Sequence, residues 1–547
     1  MDMNAADLFV QCMEVEGVKY VFGIPGEETL EINEALENSK QIQFITFRHE
    51  QGAAFAADVY GRLTGRPGVC LATLGPGATN LITGVADANM DRAPLVAITG
   101  QKALRSSHKE FHQYIDVPQV FKAVTKWTQR ILTPDTVPEV VRKAFRIAIL
   151  EKPGATHVEL SEDVASAPVI GKPLRPAPKL MFRASDKERR EALSILDVAQ
   201  RPLILAGNGV IRSRATPELI TFAEKTNIPV ANTFMAKGAF PSDHPLHVST
   251  LGLQSKDYLT CGFDRADLVI AIGYDLVEYS PALWNPNKDK KILCIDLVPS
   301  EVDAHYNFDL ELVGNISYVL KKLTEETTYR NGDDYALGLK RLMAEEKKQV
   351  GADSDFPVKP QRIIADLRAA LGRPDILISD VGAHKLWIGR LYSAYEPNTC
   401  IISNGFASMG IALPGAIGAK LAFPDKKVVA VMGDGCFLMN SQELETAVRL
   451  GLDFVVVIWS DQEYGAISWH QKKRGFKPTA ISFTNPDFVK YAESFGCKGV
   501  RINKASEFLP ALQNALNAKG ITVIDVPVDY SENMKLTEKL GQNICPV

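Results

Sequence analysis

The chain has 547 residues, of which 46% are hydrophobic and 23% charged, with a formal net charge of −4. At roughly 100–200 residues per domain, this length predicts about three or four domains. The weak net charge and the lack of a basic block argue against a nucleic-acid or membrane-surface partner. No stretch approaches the roughly 18 uninterrupted apolar residues of a membrane span.

The beginning of the chain, MDMNAADLFVQCMEVEGVKYVFG, lacks a basic segment followed by an apolar run. It is predicted to form an amphipathic helix that leads into a strand, not a signal peptide. The eight cysteines are scattered and form no Cys-x-x-Cys pair. This pattern predicts a cytoplasmic protein with reduced, mostly buried thiols.

Apolar runs of strand length alternate along the chain with helical patterns of ten or more residues. Continuous apolar strands separated by helices are typical of parallel sheets covered on both faces. The predicted fold class is therefore α/β, with doubly wound parallel sheets. The runs are Phe44–Thr46, Gly68–Thr73, Leu95–Thr99, Leu203–Ala206, Leu268–Ile272, Ile292–Ile295, Val428–Met432, Phe454–Trp459 and Val523–Val526.

Two segments are typical of linkers. Residues 164–185 contain four prolines and no clear periodicity, and residues 344–359 are polar and charged. They divide the chain into three predicted domains, at 1–165, 186–343 and 358–547.

Two features of the first domain are candidates for function, and each has a purely structural alternative. Gly26 follows the apolar stretch Tyr20–Phe22, and its backbone N–H could face a developing oxyanion or simply form a turn. Glu50 follows Phe44–Thr46 and begins an alanine-rich helix, where the helix dipole alone also favours an acid.

The two ends of the chain echo each other. Gly75-Pro76-Gly77 precedes a helix-like stretch and then a strand, and Gly433-Asp434-Gly435 does so at about the same spacing. A duplicated α/β unit would explain this echo. In the middle segment, Gly207-Asn208-Gly209 also follows an apolar run, but a lone Gly-x-Gly is a weak sign of dinucleotide binding.

Residues 428–457 are predicted to form a strand, a Gly-Asp-Gly turn, a helix and a second strand. Such a turn lies at the carboxyl end of its strand, where open α/β sheets bind ligands, and its glycines and helix N–H groups suit a phosphate. Asp434 offers an oxygen ligand to Mg²⁺, and Asp461, after the next strand, offers a second. The alternative is an ordinary βαβ unit with a solvated loop. The second aspartate at the end of the next strand argues against this alternative.

This pairing resembles the metal signature of enzymes that bind thiamine diphosphate (ThDP). The resemblance implies that Asp434, Asp461 and the backbone carbonyl of Glu463 bind the metal. Many ThDP enzymes have Asn where this chain has Asp461, whereas catabolic acetolactate synthases can use Asp.

Nearly the whole chain resembles the acetolactate synthase family, first through FRHEQGAAFAADVYGR at 47–62 and LATLGPGATNLITG at 71–84. The resemblance implies that Glu50 exchanges a proton with the cofactor pyrimidine. It implies catalytic contacts by Gly26 and Gln113; His112 beside it either faces substrate or is a core histidine. Relatives usually have a small residue where this chain has Glu27. The residues implied to line the pyrimidine site are Thr73, Pro76 and Asn80.

The same resemblance places the diphosphate at the turn 381–384, with His384 as a hydrogen-bond donor. Met409 matches the bulky residue beneath the cofactor that forces its V shape. The full set of implied contacts on this side is Val381, Gly382, Ala383, His384, Ala407, Ser408, Met409, Gly433, Asp434, Gly435, Cys436, Asp461, Glu463, Tyr464 and Gly465.

In this family the cofactor lies between two subunits, so the resemblance implies at least a homodimer, with a tetramer expected. Glu50 would come from one chain and Asp434 from its partner. Residues 273–285 look like the catabolic enzymes, which need no flavin, whereas residues 234–246 look like the FAD-containing biosynthetic branch. The middle domain is therefore expected to be mainly structural, with FAD left as an open possibility.

The implied reaction is the decarboxylation of pyruvate and transfer of its two-carbon unit to a second pyruvate, giving 2-acetolactate. Alternatives are another ThDP-dependent decarboxylase, carboligase or oxidase, or an acyltransferase such as sulfoacetaldehyde acetyltransferase. A Mg²⁺-dependent nucleotide-binding or hydrolytic protein is disfavoured because no G-x-x-x-x-G-K-[ST] loop is present. A catalytically silent relative is disfavoured because Glu50, Asp434 and Asp461 are all retained.

The biosynthetic branch has a tryptophan after the metal loop that favours 2-oxobutyrate as acceptor. Trp469 is one residue out of that register, and one residue on a helix rotates a side chain by about 100°. Trp469 is therefore expected to face away from the acceptor, and pyruvate to be accepted at least as well as 2-oxobutyrate.

Overall fold

The computed structural model describes residues 3–176, 182–253, 258–328, 338, 340 and 353–534. Within them, strands form three six-stranded sheets in which all neighbouring strands that pair are parallel. Each sheet is built from one continuous part of the chain, and with its helices it is called here the first, second or third domain. The predicted α/β fold with three parallel sheets is confirmed.

The strands of the first sheet are β1 (Tyr20–Gly23), β2 (Gln43–Thr46), β3 (Gly68–Ala72), β4 (Leu95–Gln101), β5 (Trp127–Arg130) and β6 (Ala155–Ser161). Those of the second are β7 (Pro202–Ala206), β8 (Val230–Thr233), β9 (His247–Leu251), β10 (Leu268–Ile272), β11 (Lys291–Asp296) and β12 (Leu310–Val313). Those of the third are β13 (Ile376–Ser379), β14 (Cys400–Ile402), β15 (Val428–Gly433), β16 (Phe454–Ser460), β17 (Lys498–Arg501) and β18 (Ile521–Pro527).

Helices connect these strands. In the first domain they span Ala5–Val15, Leu30–Asn38, Glu50–Thr64, Pro76–Met90, Val117–Phe121, Val137–Ile149 and Glu162–Ala165. In the second they span Asp186–Val198, Asn208–Arg212, Thr216–Thr226, Tyr258–Arg265 and Ile316–Glu326. In the third they span Pro360–Ala370, Ala383–Leu391, Ala412–Ala422, Asp434–Asn440, Glu443–Arg449, Gly465–Lys473, Phe488–Ser494 and Ala505–Asn517.

The first and third sheets have the same topology. Their strand orders are β2-β1-β3-β4-β6-β5 and β14-β13-β15-β16-β18-β17, which correspond strand for strand. The second sheet has the order β12-β11-β10-β7-β8-β9. The duplicated unit inferred from the two glycine turns is therefore confirmed, since those turns follow the equivalent strands β3 and β15.

This topology determines where ligands can bind. In each outer sheet, the first strand lies between the second and the third, so the strand order reverses there. Open parallel sheets bind ligands in the crevice at the carboxyl ends of such strands. The crevice of the first sheet is bordered by the turns after β1 and β3, and that of the third by the turns after β13 and β15.

One hydrophobic core spans the first and third domains. The helix Glu50–Thr64, composed mostly of small residues, packs against the helix Ala412–Ala422. Glycine makes the close approach possible, because a Cβ atom at Gly418 would lie 2.3 Å from the carbonyl oxygen of Ala56. The helix that begins at Glu50 is thereby fixed relative to the third domain of its own chain.

Residues 177–181 of the first predicted linker, and 344–352 of the second, lie outside the described residues. The same holds for residues 343 and 535–547 at predicted domain ends, so the domain boundaries stay predictions. Six cysteines are free and buried, but Cys261 is disulfide-bonded, which the scattered spacing did not predict. Among the described helices, none has the length and apolar character needed to cross a membrane.

Candidate active site

The residues implied for the pyrimidine site meet at the carboxyl ends of β1 and β3. The Glu50 carboxylate is only 7% exposed, and its Oε2 accepts a hydrogen bond of 2.9 Å from Asn80 Nδ2. A Cβ atom at Gly26 would lie 2.3 Å from the Cβ of Thr73, so these two residues are in contact. Pro76 begins the helix that carries Asn80.

Gly26 does not offer a free N–H group. Its backbone N–H donates to Thr29 Oγ1 at 3.0 Å. The absence of a side chain at Gly26 is nevertheless required, because Thr73 occupies the adjacent space.

An ion pair behind Thr73 was missed by the sequence analysis. Glu28 is buried and accepts hydrogen bonds from the Thr73 hydroxyl at 2.6 Å and from Lys102 Nζ at 2.7 Å. Burial opposes ionisation, but the bonds from Lys102 and Thr73 hold the pKa of Glu28 below its ordinary value. The residue that contacts the site is therefore Glu28 and not Glu27, at which the sequence departs from relatives.

Gln113 lies beside the glycine turn of the first domain. A Cβ atom at Gly75 would lie 2.5 Å from the Gln113 carbonyl oxygen, and both residues have positive φ angles, +49° and +60°. Both His112 and Gln113 are exposed. The alternative that His112 is a core histidine is therefore wrong.

The diphosphate-side residues meet at the carboxyl ends of β13 and β15. Asp380 is fully buried, and its carboxylate accepts backbone hydrogen bonds from Val381 (2.8 Å), Gly410 (2.8 Å) and Ala412 (2.9 Å). Burial raises the pKa of Asp380, and these N–H groups oppose the shift. Cys436 Sγ donates to the Val381 carbonyl oxygen at 3.0 Å. Hydrogen bonds thus connect three segments: the turn at 381–384, the segment after Met409 and the Gly-Asp-Gly turn.

His384 has the character of a ligand-binding residue. Its ring is 2% exposed, and Nε2 finds no hydrogen-bond partner within the described residues. Burial lowers the pKa of His384 to about 3, so the ring is neutral. The ring lies beside the Gly-Asp-Gly turn, since a Cβ atom at Gly433 would be 3.6 Å from it. Buried polar atoms are rarely left without a partner, and a phosphate oxygen would supply one.

The two predicted metal aspartates are adjacent. Asp434 is 1% exposed, and its Oδ2 accepts the backbone N–H groups of Asp461 (3.1 Å) and Gln462 (2.8 Å). Burial and the Asp434 charge raise the pKa of Asp461 to about 7. No cationic side chain among the described residues pairs with either carboxylate. A divalent cation would compensate this pair of buried carboxylates.

Two oxygen atoms beside the aspartates are also free for a metal. The Glu463 carbonyl oxygen accepts no hydrogen bond in the part of the chain that the structure describes. Asn485 donates to Asp434 Oδ2 at 2.7 Å, and its own Oδ1 is buried without a partner. The described residues contain no group of three or more His, Cys, Asp or Glu side chains suited to a metal. The expected metal site would not be found by that criterion, because it has only two acidic side chains, Asp434 and Asp461, and a backbone carbonyl.

The remaining predicted contacts surround this turn. A Cβ atom at Gly435 would lie 3.0 Å from Tyr464 Cε1, and one at Gly465 would lie 2.9 Å from Asp461 Oδ2. Ala407 has a φ angle of +57°, which is uncommon for a residue other than glycine. The next residue, Ser408, donates its N–H to the buried Asp87 at 3.2 Å, which holds the segment before Met409.

The pyrimidine-side and diphosphate-side residues form separate groups. No hydrogen bond or ion pair of the described residues joins a member of one group to a member of the other. Near the residues on the diphosphate side, large apolar side chains are exposed on the single chain. We call them the rim patch: Leu438 (38%), Met439 (41%), Tyr464 (40%), Ile467 (53%) and Phe476 (59%).

The glycine turn of the second domain is already filled by the chain itself. The Asn208 N–H donates to both oxygens of Glu278, at 3.0 and 3.1 Å, and the Thr233 hydroxyl donates to the same carboxylate. A Cβ atom at Gly207 would lie 2.3 Å from the carbonyl oxygen of Gly273. The glycines thus permit close backbone packing, and the N–H that could hold a phosphate is occupied.

Trp469 is 5% exposed and packs in the core of the third domain. Its Nε1 has no hydrogen-bond partner within the described residues.

Comparison with known proteins identifies the family of the chain. Models of the thiamine pyrophosphate enzymes match the chain in three parts: the N-terminal TPP binding domain at 3–120, the central domain at 189–323 and the C-terminal TPP binding domain at 380–526. The acetolactate synthase of Bacillus subtilis is 38% identical, covering 97% of this chain and 94% of that protein. The catabolic acetolactate synthase of Raoultella terrigena is 35% identical, covering 98% and 97%. A probable acetolactate synthase large subunit of Methanocaldococcus jannaschii is 34% identical, covering 99% and 94%. The chain therefore belongs to the acetolactate synthase family of thiamine diphosphate enzymes.

Proposed function

We propose that this protein is a ThDP- and Mg²⁺-dependent acetolactate synthase that converts two pyruvates to 2-acetolactate and CO₂. The observation that carries the proposal is the site itself: a buried, oriented Glu50 in one domain, and a paired Asp434 and Asp461 in the other. The similarity to acetolactate synthases over nearly the full chain supports the same reaction. When bound, ThDP supplies the means to stabilise a carbanion, and the protein binds, orients and moves protons.

Glu50 is proposed to exchange a proton with the pyrimidine ring. Asn80 holds Oε2, whereas Oε1 accepts no hydrogen bond within the described residues. A carboxyl group in this environment can act as a general acid and base, because one oxygen is fixed and the other is available.

Asp434, Asp461 and the Glu463 carbonyl are proposed to bind Mg²⁺. Mg²⁺ prefers oxygen ligands and is usually shared with phosphate groups, which fits the adjacent His384. His384 would face the diphosphate through Nε2, and it would donate there as the Nε2–H tautomer, since a neutral ring carries only one hydrogen. Asn485 is a further candidate ligand, since exchanging its amide O and N positions would direct the oxygen towards Asp434.

The smallest active form is proposed to be a homodimer, with a tetramer as the expected assembly. The resemblance to the family implies that the cofactor lies between two chains, and the lack of hydrogen bonds between the pyrimidine-side and diphosphate-side residues of one chain is compatible with this arrangement. The exposed rim patch supports this arrangement, because apolar patches beside a site are typical of interfaces.

Flavin is proposed to have no role. The second-domain turn does not fit a dinucleotide, because the Glu278 carboxylate occupies the N–H of Asn208 and Gly273 fills the space beside Gly207. A diphosphate there would have to displace a buried carboxylate of the same charge.

The test is product analysis. The protein is incubated with pyruvate, ThDP and Mg²⁺, and 2-acetolactate is expected. Glu50→Gln should lower the rate by about 10²–10⁴-fold, as expected for loss of a general acid–base group. Release of acetaldehyde without acetolactate would instead identify a simple decarboxylase.

A further inference from the structure

Glu443 is a carboxylate of the third domain that reaches into the first. It begins the helix Glu443–Arg449 and is 0% exposed. Its oxygens accept hydrogen bonds from the backbone N–H groups of Arg48, at 3.2 Å, and His49, at 3.0 Å. These are the two residues that immediately precede Glu50 in the sequence.

The surroundings of Glu443 hold its carboxylate at this place. The Thr446 hydroxyl donates to Oε2 at 2.6 Å, and Gln442 Nε2 lies 3.5 Å from Oε1. Gly52 leaves the necessary space, because a Cβ atom there would lie only 2.8 Å from Oε1. The contact between the two domains at Glu443 therefore depends on the carboxylate and on the absence of a side chain at residue 52.

We infer that Glu443 is a positioning residue for Glu50. By holding the backbone at residues 48 and 49, it fixes the direction in which the Glu50 side chain leaves the start of its helix. This inference rests on the proposed function, because the catalytic role of Glu50 does. Catalytic groups that are displaced by about 1 Å can lose on the order of 10² in rate, so the orientation of this first turn matters.

General packing between the two domains does not require Glu443. The helix Glu50–Thr64 already packs along the helix Ala412–Ala422, and this contact fixes its axis. Burying a carboxylate is costly unless it is well hydrogen-bonded. Its bonds to Arg48 and His49 act at the start of the helix, immediately before Glu50.

The experiment measures exchange of the ThDP C2 proton for deuterium in the holoenzyme, at saturating ThDP and Mg²⁺. Glu443→Ala should slow exchange by about 10–100-fold, the range found when supporting groups around a site are removed. The diphosphate-side contacts stay intact in this variant, so it should still be saturated with ThDP under these conditions. Glu443→Gln should recover part of the rate, since its amide oxygen can still accept one N–H.

Gly52→Ala tests the same contact without changing Glu443. The added methyl group would displace the carboxylate, while alanine favours the helix over glycine. Slower exchange is therefore expected, and the helix preference of alanine offsets part of the stability lost with the hydrogen bonds of Glu443. Asp366→Asn is the matched control, because Asp366 is a buried carboxylate of the third domain whose partner is Arg362 on its own helix.

The outcomes separate this inference from the proposed function. If the wild-type protein forms no acetolactate and shows no exchange, the proposed function is wrong. If the wild-type protein is active but Glu443→Ala and Gly52→Ala exchange at its rate, only the role of Glu443 is wrong. If Glu443→Ala does not fold, Glu443→Gln and Gly52→Ala decide, and wild-type rates in both overturn the inference. Equal slowing by Asp366→Asn would also overturn it.

Discussion

Two glycine turns of this protein look alike in sequence and differ in what they hold. Gly433-Asp434-Gly435 and Gly207-Asn208-Gly209 each follow a buried parallel strand and begin a short helix. At the first, the ring of His384 presents an unpartnered nitrogen, and two carboxylates lie together without a cation. At the second, Glu278 accepts the N–H of Asn208, and Gly273 fills the remaining space.

The comparison shows that a Gly-x-Gly turn is a place for a ligand only where the rest of the domain leaves its polar groups unsatisfied. A buried polar atom without a partner costs stability, and His384 Nε2 lies beside the Gly-Asp-Gly turn and its two carboxylates, where a bound ligand can supply that partner. The second domain completes its own turn, whereas the third domain depends on a ligand.

Alanine at the central residue of each turn should affect ThDP affinity at one turn and leave it unchanged at the other. Asp434→Ala is expected to weaken ThDP binding at fixed Mg²⁺ by at least about 100-fold, because even groups outside the ligand set contribute about 10–100-fold to metal affinity. Asn208→Ala should leave ThDP affinity unchanged. ThDP titration of both variants measures the difference. Equal loss in the two would show that the second-domain turn also serves the cofactor.

His384→Leu should separate cofactor binding from folding. Loss of a hydrogen bond to a charged diphosphate costs about 1.5–3 kcal/mol, or roughly 10–100-fold in ThDP affinity. The relevant readout is the stabilisation that ThDP adds, because Nε2 makes no hydrogen bond within the described residues, whereas the variant also loses the ring's hydrogen bond to the Asp380 backbone with or without cofactor. Melting temperatures with and without ThDP test this, and unchanged stabilisation by ThDP would contradict the assignment.

Glu278→Ala should lower the stability of the protein without weakening ThDP binding, in contrast to His384→Leu. It leaves the Asn208 N–H and the Thr233 hydroxyl without their acceptor, and each buried unsatisfied group costs about 1–3 kcal/mol of unfolding free energy. ThDP affinity should be unchanged in this variant, and added FAD should not bind to the wild-type protein. Denaturant unfolding and titration with each cofactor are the measurements. Tight FAD binding by the wild-type protein would refute the flavin-free proposal.

Glu278 also gives a pH prediction. Burial raises the pKa of Glu278 from its ordinary value of 4.5 to about 7, so the folded state retains a proton that the unfolded state has lost. The stability associated with this proton is present below pH 4.5 and is lost as the pH rises through 7. Glu278→Gln removes this dependence. Between pH 5 and pH 8, the wild-type protein should therefore lose unfolding free energy relative to the variant, as measured at matched denaturant concentrations.

The sequence predicted those features that depend on neighbours along the chain. The duplicated topology followed from two glycine turns, and Asp434 and Asp461 could be paired because the ends of adjacent parallel strands meet. Residues whose partners are distant could not be found in this way. Glu443 contacts residues 394 and 395 positions away, and Asn485 lies 51 positions from Asp434. Glu278 accepts from a residue 70 positions away, and nothing local in its sequence indicates that it fills the second-domain turn.

The smallest expected effect concerns the choice of acceptor. Trp469 is buried in the core of the third domain and packs with the side chains there. Even a well-placed apolar wall distinguishes one methylene by only about 1–3 kcal/mol, and a side chain committed to the core contributes less. Pyruvate should therefore be used at least as well as 2-oxobutyrate when both are supplied at equal concentration. Trp469→Phe should reduce stability through lost packing while changing the product ratio little, which separates a core residue from an acceptor wall. A wild-type product mixture dominated by 2-aceto-2-hydroxybutyrate, together with loss of that preference in Trp469→Phe, would show that Trp469 contacts the acceptor after all.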